Sequence, residues 1–296
     1  MRLQPSISSR RDDGGRFCPI IAMTRIAAHP ARSRSLSYVS FSESYLRHDD
    51  NFVGEKLMSS FKGKVALVTG AGRGIGKAVA LSLARSGCRL LLTARTAAQL
   101  EEVQQEIGGM GGDSKILPTD LTRDQDIETL VAESRRAYGP VSFLVNNAGW
   151  GKRAPVAQMK VEDLDQTLRV NLRAPMLLAK HLLPAMIEKG EGAIINIGSV
   201  SGKTGEANGA AYSASKFGLI GFTQSLYEEV REHGIKIAVI LPGFVDTPMI
   251  PPVKHLDRSK MIQAEDVAQA VLYVLTSPPR CCPVEITIRP QRTPYR

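Results

Sequence analysis

The chain has 296 residues, of which 43% are hydrophobic, and this composition is ordinary for a globular protein with a sizeable core. Its four cysteines form no Cys-x-x-Cys pair and no histidine cluster accompanies them, which argues against a disulfide framework or a metal site and favours free thiols in a reducing compartment. The formal charge of +9 is scattered, without a basic stripe interleaved with aromatic residues, and no apolar window is long enough to span a membrane. We therefore expect neither a nucleic acid nor a membrane as a partner.

Residues 1–57 differ in composition from the rest of the chain. Up to about Phe41 they include seven arginines, no lysine and many serines, with Asp12 and Asp13 as the only acidic residues. This make-up is typical of an organelle transit peptide, and the longest apolar stretch, from Ile20 to Met23, is too short for a secretory signal. We expect a disordered extension that targets the protein to an organelle, and a chloroplast is favoured over a mitochondrion. The alternative is a silent extension or an incorrect start, and the protein is then cytoplasmic.

From residue 58 to residue 290 the sequence predicts one domain, followed by a short tail at 291–296. Apolar, β-branched runs alternate with segments of helical periodicity, which indicates a parallel sheet covered by helices on both faces. The predicted strands are Lys64–Thr69, Cys88–Thr93, Ser114–Leu117, Val141–Val145, Ala193–Gly198, Lys236–Leu241 and Pro283–Ile288. The predicted helices are Gly76–Arg85, Ala97–Ile107, a helix from a Thr122/Gln125 capping box to Tyr138, Val161–Ile187, Ala210–Glu232 and Ala264–Leu275. This is a doubly wound (Rossmann) α/β fold with a mostly parallel seven-stranded sheet.

A glycine-rich segment follows the first predicted strand and leads into the first helix. It reads Thr69-Gly-Ala-Gly-Arg-Gly-Ile-Gly76. Glycines allow the backbone to turn sharply there, so that a pyrophosphate approaches the helix N-terminus, where free N–H groups attract anions. The alternative is a loop that only turns the chain.

A tyrosine and a lysine lie four residues apart in the run Tyr212-Ser-Ala-Ser-Lys216. At this spacing on a helix both side chains project from one face. A phenol titrates near ~10, and a neighbouring ammonium group lowers that pKa toward neutrality, where the phenol becomes useful for proton transfer. Alone, the pair is equally typical of a solvated helix face.

Together and in this order, the motifs of the chain resemble those of the short-chain dehydrogenase/reductase family, from about Phe61 to about Ile288. The 13-residue step from Ser199 to Tyr212 is the one usual in the acyl reductases of that family. The resemblance implies that cofactor contacts come from the glycine loop, from the turns after the third, fourth and sixth strands, and from the Tyr212 helix. These residues are Thr69, Gly70, Gly72, Arg73, Gly74, Ile75, Gly76, Asp120, Leu121, Asn147, Ala148, Gly149, Tyr212, Lys216, Pro242, Gly243, Val245 and Thr247.

The resemblance also implies a catalytic tetrad of Asn171, Ser199, Tyr212 and Lys216. Tyr212 donates a proton to a carbonyl oxygen as hydride reaches the carbon, and Ser199 hydrogen-bonds that oxygen. Lys216 lowers the pKa of the tyrosine and holds the nicotinamide ribose, while Asn171 positions a water.

Three of these assignments have alternatives. Ser201 competes with Ser199, Asn171 also suits a buried contact, and Asp120 also suits a helix cap. Ser215 receives no role. Because Asn146, Ser199 and Pro242-Gly243 follow three neighbouring strands, we expect all of them to face one crevice.

The residues after the second strand indicate which dinucleotide is bound. An NAD site of this kind needs a carboxylate there for the ribose 2′-hydroxyl, but the chain reads Thr93-Ala-Arg95. Arg73 and Arg95 are instead placed to hold a 2′-phosphate. We therefore expect NADP(H), and a reversible carbonyl reductase.

The sequence indicates the substrate less clearly than it indicates the cofactor. Similarity is strongest to 3-oxoacyl-[acyl-carrier-protein] reductases, although Gly190 and His233 stand where those enzymes commonly carry arginines, and their glycine-rich ending is missing. The lid from Asp246 to Ala264 has an apolar mouth and a basic rim that would suit an anionic or acyl thioester substrate, or it is only a solvated loop. The apolar residues are Met249, Ile250, Pro251 and Pro252, and the basic ones are Lys254, His255, Arg258 and Lys260. Reductases of small ketones, hydroxy acids or pterins, and an NADPH-binding regulatory or partner subunit, are the alternatives. The resemblance implies a homodimer or homotetramer.

Overall fold

The computed structural model describes residues 5–11, 17–23, 61–250 and 256–295. The chain forms two compact units, Met1–His48 and Asp49–Arg296. In the first unit Pro5–Arg11 pairs with Phe17–Met23 as an antiparallel hairpin, which the sequence did not predict. Apart from this hairpin, the predicted disorder of residues 1–57 lies outside the described residues.

The second unit is built on a sheet of seven parallel strands. They are β1 (Val65–Thr69), β2 (Arg89–Thr93), β3 (Ser114–Ile116), β4 (Phe143–Asn146), β5 (Gly192–Ile197), β6 (Ile235–Pro242) and β7 (Glu285–Ile288). Their order is β3-β2-β1-β4-β5-β6-β7, so the direction of winding reverses between β1 and β4. The loops after these two strands run to opposite sides of the sheet and leave a crevice at their carboxyl ends. The predicted doubly wound fold is confirmed.

Helices cover both faces of the sheet. They are α1 (Gly74–Arg85), α2 (Ala97–Gly109), α3 (Asp124–Tyr138), α4 (Val161–Leu168), α5 (Ala174–Lys189), α6 (Ala210–Val230) and α7 (Ala264–Thr276). On one face α1, α2 and α7 share a hydrophobic cluster with the sheet, and on the other α3, α5 and α6 do. In β1, Ala66 and Val68 enter the first cluster and Val65 and Leu67 the second, which explains why the strand is apolar at every position.

The predicted helix Val161–Ile187 is interrupted. Between α4 and α5 the chain makes a π-helical turn, Arg169–Arg173, which carries the buried Asn171. Such turns shift side chains around the helix and often occur at functional sites. Apolar periodicity does not reveal them, because the helix continues on both sides.

The predicted Thr122/Gln125 capping box is wrong. Helix α3 begins at Asp124, and the Thr122 hydroxyl donates to Asp120 Oδ1 at 2.8 Å instead of capping the helix. A reciprocal capping box occurs elsewhere, between Gln263 and Asp266 at the start of α7. The predicted Tyr212 helix also ends earlier, at Val230, before a short 3-10 turn.

Within residues 61–250 and 256–295, no helix combines the length and the apolar character needed to cross a bilayer. The same part of the chain contains no group of three or more side chains suited to hold a metal ion.

Candidate active site

Hydrogen bonds tie the loop after β4 to the loop after β1. The Thr69 hydroxyl oxygen accepts from the backbone N–H groups of Asn147 (3.0 Å) and Ala148 (2.9 Å). In return the Asn147 side-chain amide donates to the carbonyl oxygens of Thr69 (3.0 Å) and Gly70 (3.2 Å). The two loops that border the crevice are therefore held at a fixed separation.

The glycine loop turns tightly between β1 and α1. Gly70 and Gly74 have φ angles of +64° and +55°, in the left-handed region that favours glycine. A Cβ atom on Gly76 would lie 2.2 Å from the Gly70 carbonyl oxygen, so only glycine fits there. No side chain among the described residues caps α1, and its first turn has no acidic residue. Its first N–H groups thus form an anion-binding cradle, which suits a pyrophosphate.

Two arginines flank this cradle. Arg73 is the exposed residue just before α1, and Arg95 is exposed just beyond β2. Neither guanidinium is paired with a carboxylate in the part of the chain that the structure describes. Both are placed to hold a phosphate beside the cradle, and they fit a 2′-phosphorylated dinucleotide better than a plain one.

Asp120 accepts hydrogen bonds from Thr122 and lies near the charges of Arg95 and Arg123. Burial alone would raise the pKa of Asp120, but hydrogen bonds from Thr122 and the charges of Arg95 and Arg123 outweigh it and hold that pKa below its usual value. Asp120 thus fixes the turn before α3 without capping the helix, and it remains ionised. Leu121, its neighbour, is buried in the core.

The structure places Ser199, rather than Ser201, beside Tyr212. Ser199 follows β5, lies close enough to the Tyr212 hydroxyl to lower the pKa of that phenol, and accepts from the Ser201 N–H at 3.1 Å. The Ser201 hydroxyl is directed elsewhere and donates to Glu206 Oε1 at 3.0 Å. The alternative that the sequence left open is therefore decided by geometry.

Lys216 is 3% exposed, and its Nζ donates to the Ile197 carbonyl oxygen at 2.8 Å. Burial lowers the pKa of Lys216 to about 8. Its Nζ lies over the Tyr212 ring, 5.8 Å from the ring centre.

The sequence predicts that Lys216 lowers the pKa of Tyr212, but in the structure the pKa of Tyr212 is raised. Burial is the main cause and the charge of Glu206 adds to it, while the Ser199 hydrogen bond and the charge of Arg153 oppose it. Spacing along the helix shows that the two residues are neighbours but not that the phenol is buried, and burial outweighs the groups that lower its pKa.

Asn171 joins three parts of the site. Its Oδ1 accepts from the Trp150 N–H at 2.8 Å, and its Nδ2 donates to the Trp150 carbonyl oxygen (2.8 Å) and to Ser215 Oγ (3.0 Å). The Ser215 hydroxyl in turn donates to the Tyr212 carbonyl oxygen at 2.6 Å. Ser215, which received no role from the sequence, thus connects Asn171 to the tyrosine helix. Its position one residue before Lys216 was the only signal.

The side chain of Asn171 therefore makes the buried contact that the sequence analysis considered as its alternative. Its role in positioning a water stays a prediction.

Asn146 does not face the crevice as predicted. It is the last residue of β4, it is buried, and its Nδ2 donates to Asn196 Oδ1 (2.8 Å), which belongs to a polar network beneath α6. The reason is the pleat, since Asn146 and Asn147 point in opposite directions. Among the residues after β6, Val245 is packed in the core, whereas Thr247 lies over the glycine loop, 3.2 Å from where a Cβ on Gly74 would be.

Arg258 and Lys260, two basic residues of the lid, bind groups within the lid instead of remaining free to attract a substrate. The Arg258 guanidinium contacts the Asp246 carboxylate and the carbonyl oxygens of Thr247 and Ile250, and Lys260 pairs with Asp257. The predicted basic rim is therefore wrong for these two residues, while Lys254 and His255 lie outside the described residues. Met249 reaches into the site, 3.6 Å from where a Cβ on Gly149 would be.

Replacement of Thr69 by valine keeps the shape of the side chain and removes the oxygen that two N–H groups share. We expect Thr69→Val to lower the free energy of unfolding by about 1–3 kcal/mol, because the N–H groups of Asn147 and Ala148 lose their partner. Urea unfolding measures this. Thr129→Val, whose hydroxyl makes an exposed hydrogen bond to the Gln125 carbonyl on α3, is the matched control and should change stability by less than about 0.5 kcal/mol. Equal effects for both variants would contradict the assignment.

Comparison with known proteins agrees with this geometry. A model of the short chain dehydrogenase family matches residues 64–257. An uncharacterized oxidoreductase from Staphylococcus aureus strain MRSA252 is 35% identical over 234 residues, which cover 79% of this chain and all of that protein. A 3-oxoacyl-[acyl-carrier-protein] reductase from Mus musculus is 38% identical over 221 residues, covering 73% of this chain and 92% of the relative.

Among solved structures, a metagenomic short-chain oxidoreductase crystallised in complex with NADP superimposes with a TM-score of 0.71. It is 37% identical to this chain, and the match covers 79% of this chain and all of the other. The family match and the identity of these relatives lead to one conclusion: the chain belongs to the short-chain dehydrogenase family and is an oxidoreductase of that family.

Proposed function

We propose that the protein is an NADP(H)-dependent carbonyl reductase that also oxidises the corresponding alcohol. The observation that carries the proposal is the pair of Ser199 and Tyr212, whose side chains lie beside each other at the same end of the sheet as the anion-binding glycine loop. That pair provides a proton donor and a second hydrogen-bond donor for one substrate oxygen.

In the reductive direction Tyr212 gives its hydroxyl proton to the carbonyl oxygen, and Ser199 stabilises the negative charge that develops there. The bound nicotinamide cofactor supplies the hydride that reaches the carbon. The raised pKa of Tyr212 suits this role, because a donor must be protonated at neutral pH. With a pKa of about 8, Lys216 is mostly cationic at pH 7 and favours the tyrosinate that remains.

We infer NADP(H) rather than NAD(H) as the cofactor. Support comes from Arg73 and Arg95 beside the cradle, from the absence of a carboxylate at the end of β2, and from the NADP that the solved relative binds. Arg73, Arg95 and the first turn of α1 would hold the phosphates, and Lys216 the ribose of the nicotinamide half.

A 3-oxoacyl thioester is the first substrate that we propose, because the mouse relative is a 3-oxoacyl-[acyl-carrier-protein] reductase. Arg258 is paired with Asp246 and Lys260 with Asp257, so part of the basic rim that would attract an anionic carrier is neutralised within the lid. Small ketones, hydroxy acids and pterins are therefore the second candidates. A non-enzymatic NADPH-binding subunit is the third, and the intact Ser199–Tyr212 pair argues against it.

We further propose a homodimer or homotetramer. Met176 on α5 and Phe217 on α6 are large apolar side chains that are 43% and 48% exposed. They lie on the two helices next to the site, where a second copy would cover them.

The proposed activity is tested with NADPH and a panel of acetoacetyl thioesters, ketones and diketones. We expect Tyr212→Phe to lower kcat/KM by about 10²–10⁴-fold, since it removes the proton donor while the cofactor site is unchanged. The oxidation of NADPH is followed by its absorbance. Tyr273→Phe, on the exposed face of α7, should retain the wild-type rate. If no substrate oxidised NADPH faster with the wild-type protein than with Tyr212→Phe, the enzyme proposal would fail.

The choice of cofactor is tested by removal of each arginine. Arg73→Ala and Arg95→Ala should each weaken NADPH binding by about 10–100-fold, because a charge-assisted hydrogen bond to the 2′-phosphate is lost, and should leave NADH binding nearly unchanged. Isothermal titration with both cofactors measures this. Arg85→Ala, at the far end of α1, is the control. An equal loss for NADH and NADPH would contradict the 2′-phosphate assignment.

A further inference from the structure

Two loops meet beside Tyr212. The loop after β4 passes directly over the tyrosine, since a Cβ on Gly151 would lie 2.7 Å from Tyr212 Cδ2. The loop before α6 joins it there, and the Ala154 N–H donates to the Asn208 carbonyl oxygen at 2.9 Å. The structure holds Asn208 at a φ of +63°, the one non-glycine residue in the described chain with a positive φ. The meeting point of the loops is thus tightly constrained.

A salt bridge joins the same loops. The Arg153 guanidinium pairs with Glu206 Oε2, while Glu206 Oε1 accepts the hydrogen bond from the Ser201 hydroxyl at 3.0 Å. The Ser201 N–H donates to Ser199 Oγ at 3.1 Å, and Ser199 lies close enough to Tyr212 to lower the pKa of its phenol. Polar contacts therefore run from the exposed Arg153 to Ser199, beside the Tyr212 hydroxyl.

The carboxylate also fixes which serine is available. Because Glu206 accepts from the Ser201 hydroxyl, that hydroxyl is engaged away from Tyr212, while the Ser201 N–H caps the short 3-10 turn by donating to Ser199 Oγ. Ser199 Oγ then has an acceptor position filled by the backbone, and its own hydrogen is left for Tyr212 or a substrate oxygen.

Few charged groups face Tyr212. Glu206 and Arg153 lie on the two loops, and Lys216 lies on the tyrosine's own helix, with its Nζ 5.8 Å from the ring centre. Lys152, the neighbour of Arg153, is paired with Asp163 of α4 at 3.0 Å. The charge of Glu206 raises the pKa of the phenol and that of Arg153 lowers it, so the two residues act on Tyr212 with opposite signs.

We propose that Glu206 and Arg153 are positioning residues of the active site, which hold the two loops over Tyr212, keep the Ser201 hydroxyl bound to Glu206, and place two opposite charges beside the phenol. This inference rests on the proposed reductase function. It assigns a role in the reaction to two residues that no motif marked.

A surface ion pair without a role in the site is the competing explanation. The side chains of Arg153 and Glu206 are 66% and 37% exposed, and exposed pairs contribute little to stability. The two explanations predict different effects of substitution. Loss of a plain surface pair changes neither the stability nor the activity, whereas loss of a positioning residue changes the activity and its pH dependence while the stability is nearly preserved.

The test compares Glu206→Gln, Arg153→Gln and the double variant with the wild type, each as the full chain. We expect kcat/KM to fall by about two- to fivefold in each single variant, with only small changes in urea unfolding. In NADP-dependent alcohol oxidation Tyr212 must be ionised, so the rising limb of the pH profile should move to lower pH in Glu206→Gln and to higher pH in Arg153→Gln. The double variant should return toward the wild-type position.

Lys152→Gln is the matched control, because it breaks a neighbouring ion pair on the same loop and should leave the pH profile in place. Ionisation of the phenol is measured independently of activity, by the ultraviolet difference between each protein and its Tyr212→Phe counterpart. Shifts in the same direction for both single variants, or shifts no larger than that of the control, would overturn the inference. A wild-type protein that reduces no substrate would defeat the proposed function alone, and the phenol titration would still decide the roles of Glu206 and Arg153.

Discussion

The site depends first on the hydrogen bonds that the Thr69 hydroxyl and the Asn147 amide make across the ends of β1 and β4. These strands are neighbours at the point where the sheet reverses its winding, so their loops would separate without a connection. With the two loops joined, the glycine turn is fixed on one side and Trp150 on the other. Trp150 in turn holds Asn171, and Asn171 reaches Ser215 on the tyrosine helix. The glycine loop and the helix that carries Tyr212 are therefore parts of one hydrogen-bonded assembly.

Burial sets the electrostatics of that assembly. The phenol of Tyr212 is kept protonated, because burial and Glu206 outweigh the groups that stabilise its ionised form. Lys216 is buried as well, which brings its pKa down to about 8. A neutral donor beside a lysine that is still mostly cationic at pH 7 suits proton donation followed by stabilisation of the tyrosinate. Spacing along the helix brings the two residues together, but the surrounding packing decides their protonation.

Much of the fold could be predicted, because the five inner strands of the sheet are almost wholly buried and read as apolar runs, whereas only the edge strands β3 and β7 are more exposed. The predicted strand boundaries lie within two residues of those observed. The π-helical turn could not be predicted, since a single wider turn leaves the apolar spacing on both sides intact. Motifs placed Ser199, Tyr212 and Lys216 together, whereas the contact of Ser215 with Asn171 and the pairing of Glu206 with Arg153 join segments far apart in the chain, which sequence spacing does not encode. The lid arginine, Arg258, was misjudged because its partners are mostly backbone carbonyl groups.

The central claim is that the glycine loop and the Tyr212 cluster form one nicotinamide site, and Trp150 reports on it directly. Trp150 is the only tryptophan of the chain, and its backbone is bound to Asn171 within the site. The measurement is a titration of the full chain with NADPH in which Trp150 is excited and the emission spectrum is recorded. The account predicts a saturable loss of tryptophan emission with a matching rise of nicotinamide emission by energy transfer, at lower concentrations of NADPH than of NADH. Tryptophan emission that does not respond to NADPH, or that responds equally to NADH, would contradict it.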